Sequence, residues 1–142
     1  MRFMMLMIPK NYEKAEPDAM PSAKAVAAMM KYNESLQKAG VLLALDGLTP
    51  PSTGVRVTFP GGKPRVVDGP FTEAKEALGG YWMIQVKSKE EAIEWATRIP
   101  GNDDCVVEVR QVQELSDFPA DVREAAAGFE DLRGQVGQGN TA

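Results

Sequence analysis

The chain has 142 residues, of which 44% are hydrophobic, 25% charged and 7% aromatic, and its formal net charge is -4. This length favours one domain with one core, and the composition excludes a disordered, collagen-like or membrane-embedded chain. Because nucleic-acid binding depends on clustered Lys and Arg, the negative charge argues against a nucleic-acid partner.

The chain contains no histidine and one cysteine. The absence of His excludes Ser-His-Asp and Cys-His nucleophile pairs, helical zinc-protease motifs and iron sites with two His ligands. We therefore expect no metal and no other cofactor. Because the single Cys105 cannot form an intramolecular disulfide, we expect a reducing, cytoplasmic location. The apolar run 3–8 is too short for a signal peptide or a membrane span, so we expect no membrane association.

The first half of the chain predicts a strand, a helix and a second strand. The continuous apolar run 3–8 ends at Pro9 and is typical of a strand covered on both faces. Ser22 can cap a helix that Gly40 terminates, and residues 41–45 then form a strand. The predicted apolar face of the helix consists of Val26, Met29, Met30 and Leu36.

The second half predicts a hairpin, a strand, a helix and a last strand. A loop with two prolines, residues 46–51, precedes the hairpin, because prolines cannot continue a strand ladder. Ser88 and Glu91 form a capping box for the second helix, which Pro100 stops. The hairpin strands are residues 55–59 and 65–67, the next strand is 81–86, and the last strand is 106–112.

This order of elements predicts an α+β fold with a ferredoxin-like βαββαβ sheet and an inserted hairpin. The two helices would cover one face of the sheet, and we expect a second copy of the chain to cover the open face, giving a homodimer. The domain spans residues 1–114. Residues 115–133 are expected to form a C-terminal helical arm with Pro119 in its first turn, and residues 134–142 a disordered tail.

Chemistry-bearing residues concentrate between the hairpin and the central strand. Asp68 precedes Gly-Pro, which favours a fixed turn that Phe71 could pin. Gly79 and Gly80 stand at the start of a central strand, where the missing Cβ atoms allow a ligand or another backbone to approach closely. This arrangement is compatible with a pocket.

The run DGPFTEAKEALGGYWMIQV, with the later EEAIEWATRIP and the earlier DGLTPP, resembles the DGPF-motif branch of the YCII-related family. The resemblance covers roughly residues 2–112. It implies a ferredoxin-like dimeric α/β barrel in a largely uncharacterised family, whose bacterial members are often associated with extracytoplasmic-function sigma factors. The matching positions, which are the candidate ligand-binding residues besides Asp68, are Asp46, Gly47, Leu48, Pro50, Gly69, Pro70, Phe71, Glu73, Lys75, Glu76, Gly79 and Gly80.

Two hypotheses follow, and they leave enzymatic activity open. The first is a small-molecule site in a cleft at the DGPF loop, with metal-free acid–base catalysis in which Asp68 is the general base and Lys75 holds an anionic substrate oxygen. The second is a non-enzymatic dimeric accessory or regulatory module, linked to a sigma factor. It is favoured because the YCII branch pairs a His with an Asp, and this chain has no His.

Each candidate also has a purely structural interpretation. Asp68 is a common turn-capping residue, and Glu73, Lys75 and Glu76 are the kind of charged side chains that water solvates on a loop. Cys105 lies on an apolar strand face, where a thiol is inert. Core or interface packing is the ordinary role of Tyr81, Trp82 and Trp95, and the methionines ordinarily fill cores.

Overall fold

A computed structural model describes residues 1–71 and 74–137. Its strands and α-helices follow the predicted order of strand, helix, strand, hairpin, strand, helix and strand. They are β1 (Arg2–Pro9), α1 (Ala23–Lys38), β2 (Leu42–Gly47), β3 (Val55–Thr58), β4 (Arg65–Asp68), β5 (Gly80–Gln85), α2 (Lys89–Thr97), β6 (Cys105–Gln111), α3 (Ala120–Ala125) and α4 (Phe129–Gln135). Short 3-10 turns lie at Tyr12–Lys14, Pro51–Thr53, Pro60–Gly62 and Leu115–Asp117.

The main sheet has four antiparallel strands in the order β2-β5-β1-β6. The two strands without polar alternation, β1 and β5, are therefore the central pair, as predicted, and the ferredoxin-like α+β fold is confirmed. The hairpin of β3 and β4 forms a separate two-stranded sheet. The hairpin, which lies between β2 and β5 in the sequence, therefore forms its own small sheet and does not extend the main sheet.

The ends of α1 follow the capping residues of the sequence. The Ser22 hydroxyl accepts a hydrogen bond from the Ala25 N–H at 3.1 Å. At the other end Gly40 has φ 73°, and the Val41 N–H donates to the Leu36 carbonyl at 3.2 Å. This is the 6→1 bond that a left-handed residue allows after the last helical turn.

The buried face of α1 differs from the predicted one. Val26 and Met30 are 46% and 51% exposed, whereas Tyr32 and Leu36 are buried. The ring of Tyr32 meets that of Trp82 edge-on, with 5.7 Å between centroids, and its hydroxyl donates to the Trp95 carbonyl at 2.7 Å. The prediction is confirmed for Leu36, and Met29 packs against the core, but it is wrong for Val26 and Met30. It missed Tyr32 because it counted aliphatic residues, while an aromatic side chain with a partner for its hydroxyl covers more of the sheet.

The second helix begins at the predicted cap. The Ser88 hydroxyl accepts from the Glu91 N–H at 3.1 Å, while the Glu91 carboxylate accepts from the Lys87 N–H at 2.9 Å. In the predicted capping box the Glu91 carboxylate would accept from the Ser88 N–H, whereas in the structure it accepts from the N–H of the preceding residue, Lys87. Both bonds satisfy amides at the helix start.

Strand alternation gives the main sheet two different faces. Phe3 and Met5 of β1 and Ile84 of β5 are buried under the helices. Their neighbours Met4 and Met83 lie on the opposite face, called the open face below, and are half-buried. The core consists of Phe3, Met5, Tyr32, Leu36, Val41, Trp82, Ile84, Val86, Ala92 and Ile99.

The chain divides into two compact units, residues 1–112 and 113–142. In the second unit, Pro119 is the residue that caps α3, and Gly128, with φ 89°, separates α3 from α4. The prediction of one continuous helix is therefore wrong. Gly134 lies inside α4, so the predicted disorder does not begin there, and residues 138–142 lie outside the described residues. Within the described ranges every helix is too short or too polar to cross a membrane.

Candidate functional site

A cavity of about 420 Å³ lies between α1 and the end of the main sheet where β2 stops and β5 starts. The facing pair at this end is Gly47 and Gly80, and neither residue has a side chain to fill the space. We call it the α1 cavity. Its lining residues are Met7, Met29, Asn33, Leu45, Asp46, Gly47, Gly79, Gly80, Tyr81 and Trp82.

The glycines at the start of β5 allow close backbone contacts. A Cβ atom on Gly80 would lie 2.8 Å from the Asp46 carbonyl oxygen, and one on Gly79 would lie 2.6 Å from the ring of Pro9. The Gly79 N–H donates to the Met7 carbonyl at 2.8 Å. A larger residue at either position would push these segments apart and change the cavity.

Asp46 and Tyr81 form a polar pair that lines the α1 cavity. They are cross-strand neighbours, and the Tyr81 hydroxyl donates to Oδ2 of Asp46 at 2.7 Å. This hydrogen bond, followed by partial burial and the negative charge of Asp46, raises the pKa of Tyr81 above its usual value. Tyr81 is therefore a protonated hydrogen-bond donor at neutral pH, beside an acceptor carboxylate.

Trp82 and Asn33 place a second polar group at the cavity. The indole N–H of Trp82 donates to Oδ1 of Asn33 at 2.8 Å, which fixes the orientation of the amide. Among the residues described, the amino group of Asn33 has no hydrogen-bond partner. The lining of the α1 cavity therefore includes an amide donor on the helix side of the sheet, while strand alternation places the Asp46 and Tyr81 side chains on the open side at the same sheet end.

The first predicted loop has a structural role next to this cavity. The Leu48 carbonyl accepts from the Tyr12 hydroxyl at 2.6 Å, and burial raises the pKa of Tyr12. The Leu48 N–H donates to the Gly79 carbonyl at 2.9 Å. Pro50 is buried and its carbonyl accepts from the Thr53 N–H at 2.9 Å. Leu48 and Pro50 therefore hold the loop in place and do not line the cavity.

Asp68 lies at the end of β4, on the separate hairpin sheet, and is exposed. Its carboxylate has no hydrogen-bond or ion-pair partner among the described residues. The following Gly69 packs tightly: its N–H donates to the Gly54 carbonyl at 2.8 Å, and a Cβ atom would lie 2.0 Å from the Pro51 carbonyl oxygen. Glycine is required here for backbone packing.

The rest of the predicted site is spread over two other cavities. Pro70 and Phe71 line a cavity of about 550 Å³, and the Arg56 guanidinium lies 4.0 Å from the centroid of the Phe71 ring. Lys75 and Glu76 line a third cavity of about 350 Å³. The structure thus brings Asp46, Gly47, Gly79 and Gly80 together but not with these residues, and Glu73 lies outside the described residues.

Sequence reasoning missed two polar residues of the α1 cavity. Asn33 sits on a helix without any motif around it. For Tyr81, which follows the Gly-Gly pair, the sequence predicts only a packing role. The position of Tyr81 directly after Gly80 was the available signal, since it places the phenol at the strand end. In the described ranges, no three or more Cys, Asp or Glu side chains lie close enough to hold a metal ion.

Comparison with known proteins identifies the family. The family model of the YCII-related domain matches residues 1–116. The chain belongs to the YCII-related family. An uncharacterized protein of Rhizobium meliloti (strain 1021) is 36% identical over 70 residues, which are 49% of this chain and 53% of that protein. The chain thus spans about half the length of this relative.

Proposed function

We propose that this YCII-related protein binds a small molecule in the α1 cavity, with Asp46 and Tyr81 contacting its polar group. The hydrogen-bonded Asp46–Tyr81 pair beside a cavity of about 420 Å³ carries this proposal. Binding sites of this size combine apolar walls with a few placed polar groups. Here Met7, Leu45 and Trp82 supply apolar surface.

The charge of the cavity favours some ligands over others. Among its described lining residues, Asp46 is the charged one. An anionic ligand would be repelled, whereas a neutral ligand with a hydroxyl group could donate a hydrogen bond to Asp46. We therefore expect phenols, which carry such a hydroxyl, to bind more tightly than lactones, which only accept hydrogen bonds, and than carboxylates.

An acid–base role follows from the same pair. Asp46 can accept a proton from a bound ligand through Oδ1, while the Tyr81 hydroxyl holds the carboxylate in place through its hydrogen bond to Oδ2. This proposal moves the candidate base from Asp68 to Asp46. Asp68 remains the alternative candidate, since the DGPF loop carries it.

Thermal unfolding with a panel of phenols, lactones, quinones and carboxylates tests the site. A ligand present at a hundredfold excess over its Kd should stabilise the wild type by about 2.7 kcal/mol. Asp46→Asn should lose this stabilisation, and the matched variant Asp68→Asn should keep it. Loss in Asp68→Asn alone would return the site to the DGPF loop, and no stabilisation by any compound would contradict ligand binding at either place.

A non-enzymatic accessory module, linked to a sigma factor, is the second candidate function. The tight packing of Gly69 against Pro51 supports it, because it gives the DGP turn a scaffolding purpose without a ligand.

Either function is compatible with a homodimer through the open face, where Met4, Leu6 and Met83 lie half-buried. Light scattering at micromolar concentration should give twice the 15.4 kDa chain mass. Leu6→Lys should reduce it, and a monomeric wild type would contradict the dimer.

A further inference from the structure

The hairpin of β3 and β4 exposes an apolar face. Its ladder pairs Val57 with Val66 and Val55 with Asp68, and the side chains of such cross-strand partners point to the same side. We call this side the hairpin face, and with the residue that follows β3 it consists of Val55, Val57, Phe59, Val66 and Asp68. Its apolar side chains are between 48% and 67% exposed. Because a two-stranded sheet is only marginally stable in water by itself, a molecule that covers this face would stabilise it.

The opposite side of the hairpin is more polar and contacts the chain's own DGPF loop. It carries Arg56, Thr58, Arg65 and Val67. The guanidinium of Arg56 lies over the ring of Phe71. The hairpin face therefore points away from this contact, and its apolar side chains are accessible to another molecule.

The charges at the two ends of the hairpin face are opposite. Asp68 ends β4, and Lys63 follows the turn at the other end of the hairpin. Both are exposed, and neither side chain has a hydrogen-bond or ion-pair partner among the described residues. The hairpin face thus has an acidic end, an apolar centre and a basic end.

This pattern is complementary to itself. In a two-fold symmetric contact the same patch of both copies meets, and packed sheets keep their strands nearly aligned. An axis perpendicular to the strands at Val57 and Val66 brings Asp68 of one copy near Lys63 of the other. An axis parallel to the strands would instead place Asp68 over Val55, where the carboxylate would lose water without gaining an opposite charge. The charges therefore favour the first arrangement.

We propose that the hairpin face binds the hairpin face of a second copy, with Val57 and Val66 of one copy against the same residues of the other. Its five residues are far fewer than the roughly 20 to 30 that each partner contributes to a stable complex, so the contact is weak by itself. This surface differs from the open face and does not depend on a ligand in the α1 cavity. It gives Asp68 of the DGPF motif a role in assembly that needs no proton transfer.

Cysteine cross-linking tests which residues meet. In a Cys105→Ser background, Val57→Cys is treated with a short bis-maleimide, and Val67→Cys on the other side of the hairpin is the matched control. Each cross-linking rate is divided by the rate of the same thiol with a monofunctional maleimide. The normalised rate of Val57→Cys should be about fivefold higher or more, because the contact raises the effective concentration of the second thiol. Equal normalised rates would overturn the proposal.

Charge reversal distinguishes a second copy from any other molecule on this face. Asp68→Lys or Lys63→Asp alone should lower the normalised cross-linking rate of Val57→Cys by about threefold or more, because like charges then meet at both ends. The double variant should restore the rate, since its two ends are again opposite. Circular dichroism of each variant checks that it is folded. Single reversals without effect, or a double variant no faster than the single ones, would overturn the proposed pairing.

Discussion

The chain contains two Asp-Gly pairs that look alike in the sequence, and the fold gives them different surroundings. Asp46 accepts a hydrogen bond from Tyr81 and lines the α1 cavity. Asp68 is exposed on the hairpin sheet, and its carboxylate has no partner among the described residues. The first aspartate is therefore part of a polar site, and the second stands at the end of a strand.

The glycines that follow these aspartates, Gly47 and Gly69, differ in how tightly they are packed, and here the second is the more constrained. A Cβ atom on Gly47 would find its nearest neighbour, the Gly79 carbonyl oxygen, at 4.0 Å. One on Gly69 would lie 2.0 Å from the Pro51 carbonyl oxygen. Gly47 leaves space beside a cavity, whereas Gly69 lets two backbone segments touch. A motif residue can thus serve a binding site or the scaffold, and only its neighbours decide which.

The largest expected effect comes from adding one methyl group at each glycine. Gly69→Ala should lower the free energy of unfolding by about 3 kcal/mol or more, because the new Cβ atom meets backbone that must shift. Gly47→Ala should change it by less than about 1 kcal/mol in either direction, because the added atom makes an ordinary contact. Chemical denaturation of the two variants measures the difference.

Equal destabilisation by the two substitutions would contradict the proposed difference in packing between Gly47 and Gly69. It would mean that Gly47 is as tightly packed as Gly69 and that the space beside Gly47 is not available to a ligand. A small effect of Gly69→Ala would instead show that the loop after β4 can move away from Pro51. In that case the DGP turn would not be a rigid scaffold.

Local signals in the sequence were sufficient for the main elements. The apolar runs of β1 and β5, the caps Ser22 and Ser88, and the terminator Gly40 each act within a few residues, so they could be recognised without the fold. The buried face of α1 could not, because Tyr32 is buried through contacts with Trp82 and Trp95, more than 45 residues away in sequence. The break between α3 and α4 at Gly128 was available in the sequence but was interpreted as part of one helix.

The site was harder to predict than the fold. Asp46 and Tyr81 are 35 residues apart, and only the register of β2 on β5 places them side by side. Motif matching selected the DGPF loop as one unit, yet the fold distributes its residues over a turn and two cavities.

A smaller effect distinguishes the two aspartates directly. Because Asp46 raises the pKa of Tyr81 through a hydrogen bond and its negative charge, Asp46→Asn should lower the pKa of Tyr81 towards the ordinary value of about 10. Asp68→Asn should leave it unchanged. Nuclear magnetic resonance of labelled tyrosine rings, titrated between neutral and alkaline pH, follows each phenol separately.

The same linkage predicts how stability depends on pH. A phenol whose pKa is higher in the folded state stabilises the fold below its unfolded pKa, and this contribution is lost as the pH rises through the folded value. The free energy of unfolding should therefore fall less steeply above about pH 10 in Asp46→Asn than in wild type or Asp68→Asn. Tyr32, whose pKa burial raises to about 12, adds the same alkaline loss in all three proteins. An unchanged Tyr81 titration in Asp46→Asn, or an equal shift in Asp68→Asn, would remove the electrostatic distinction between the two aspartates.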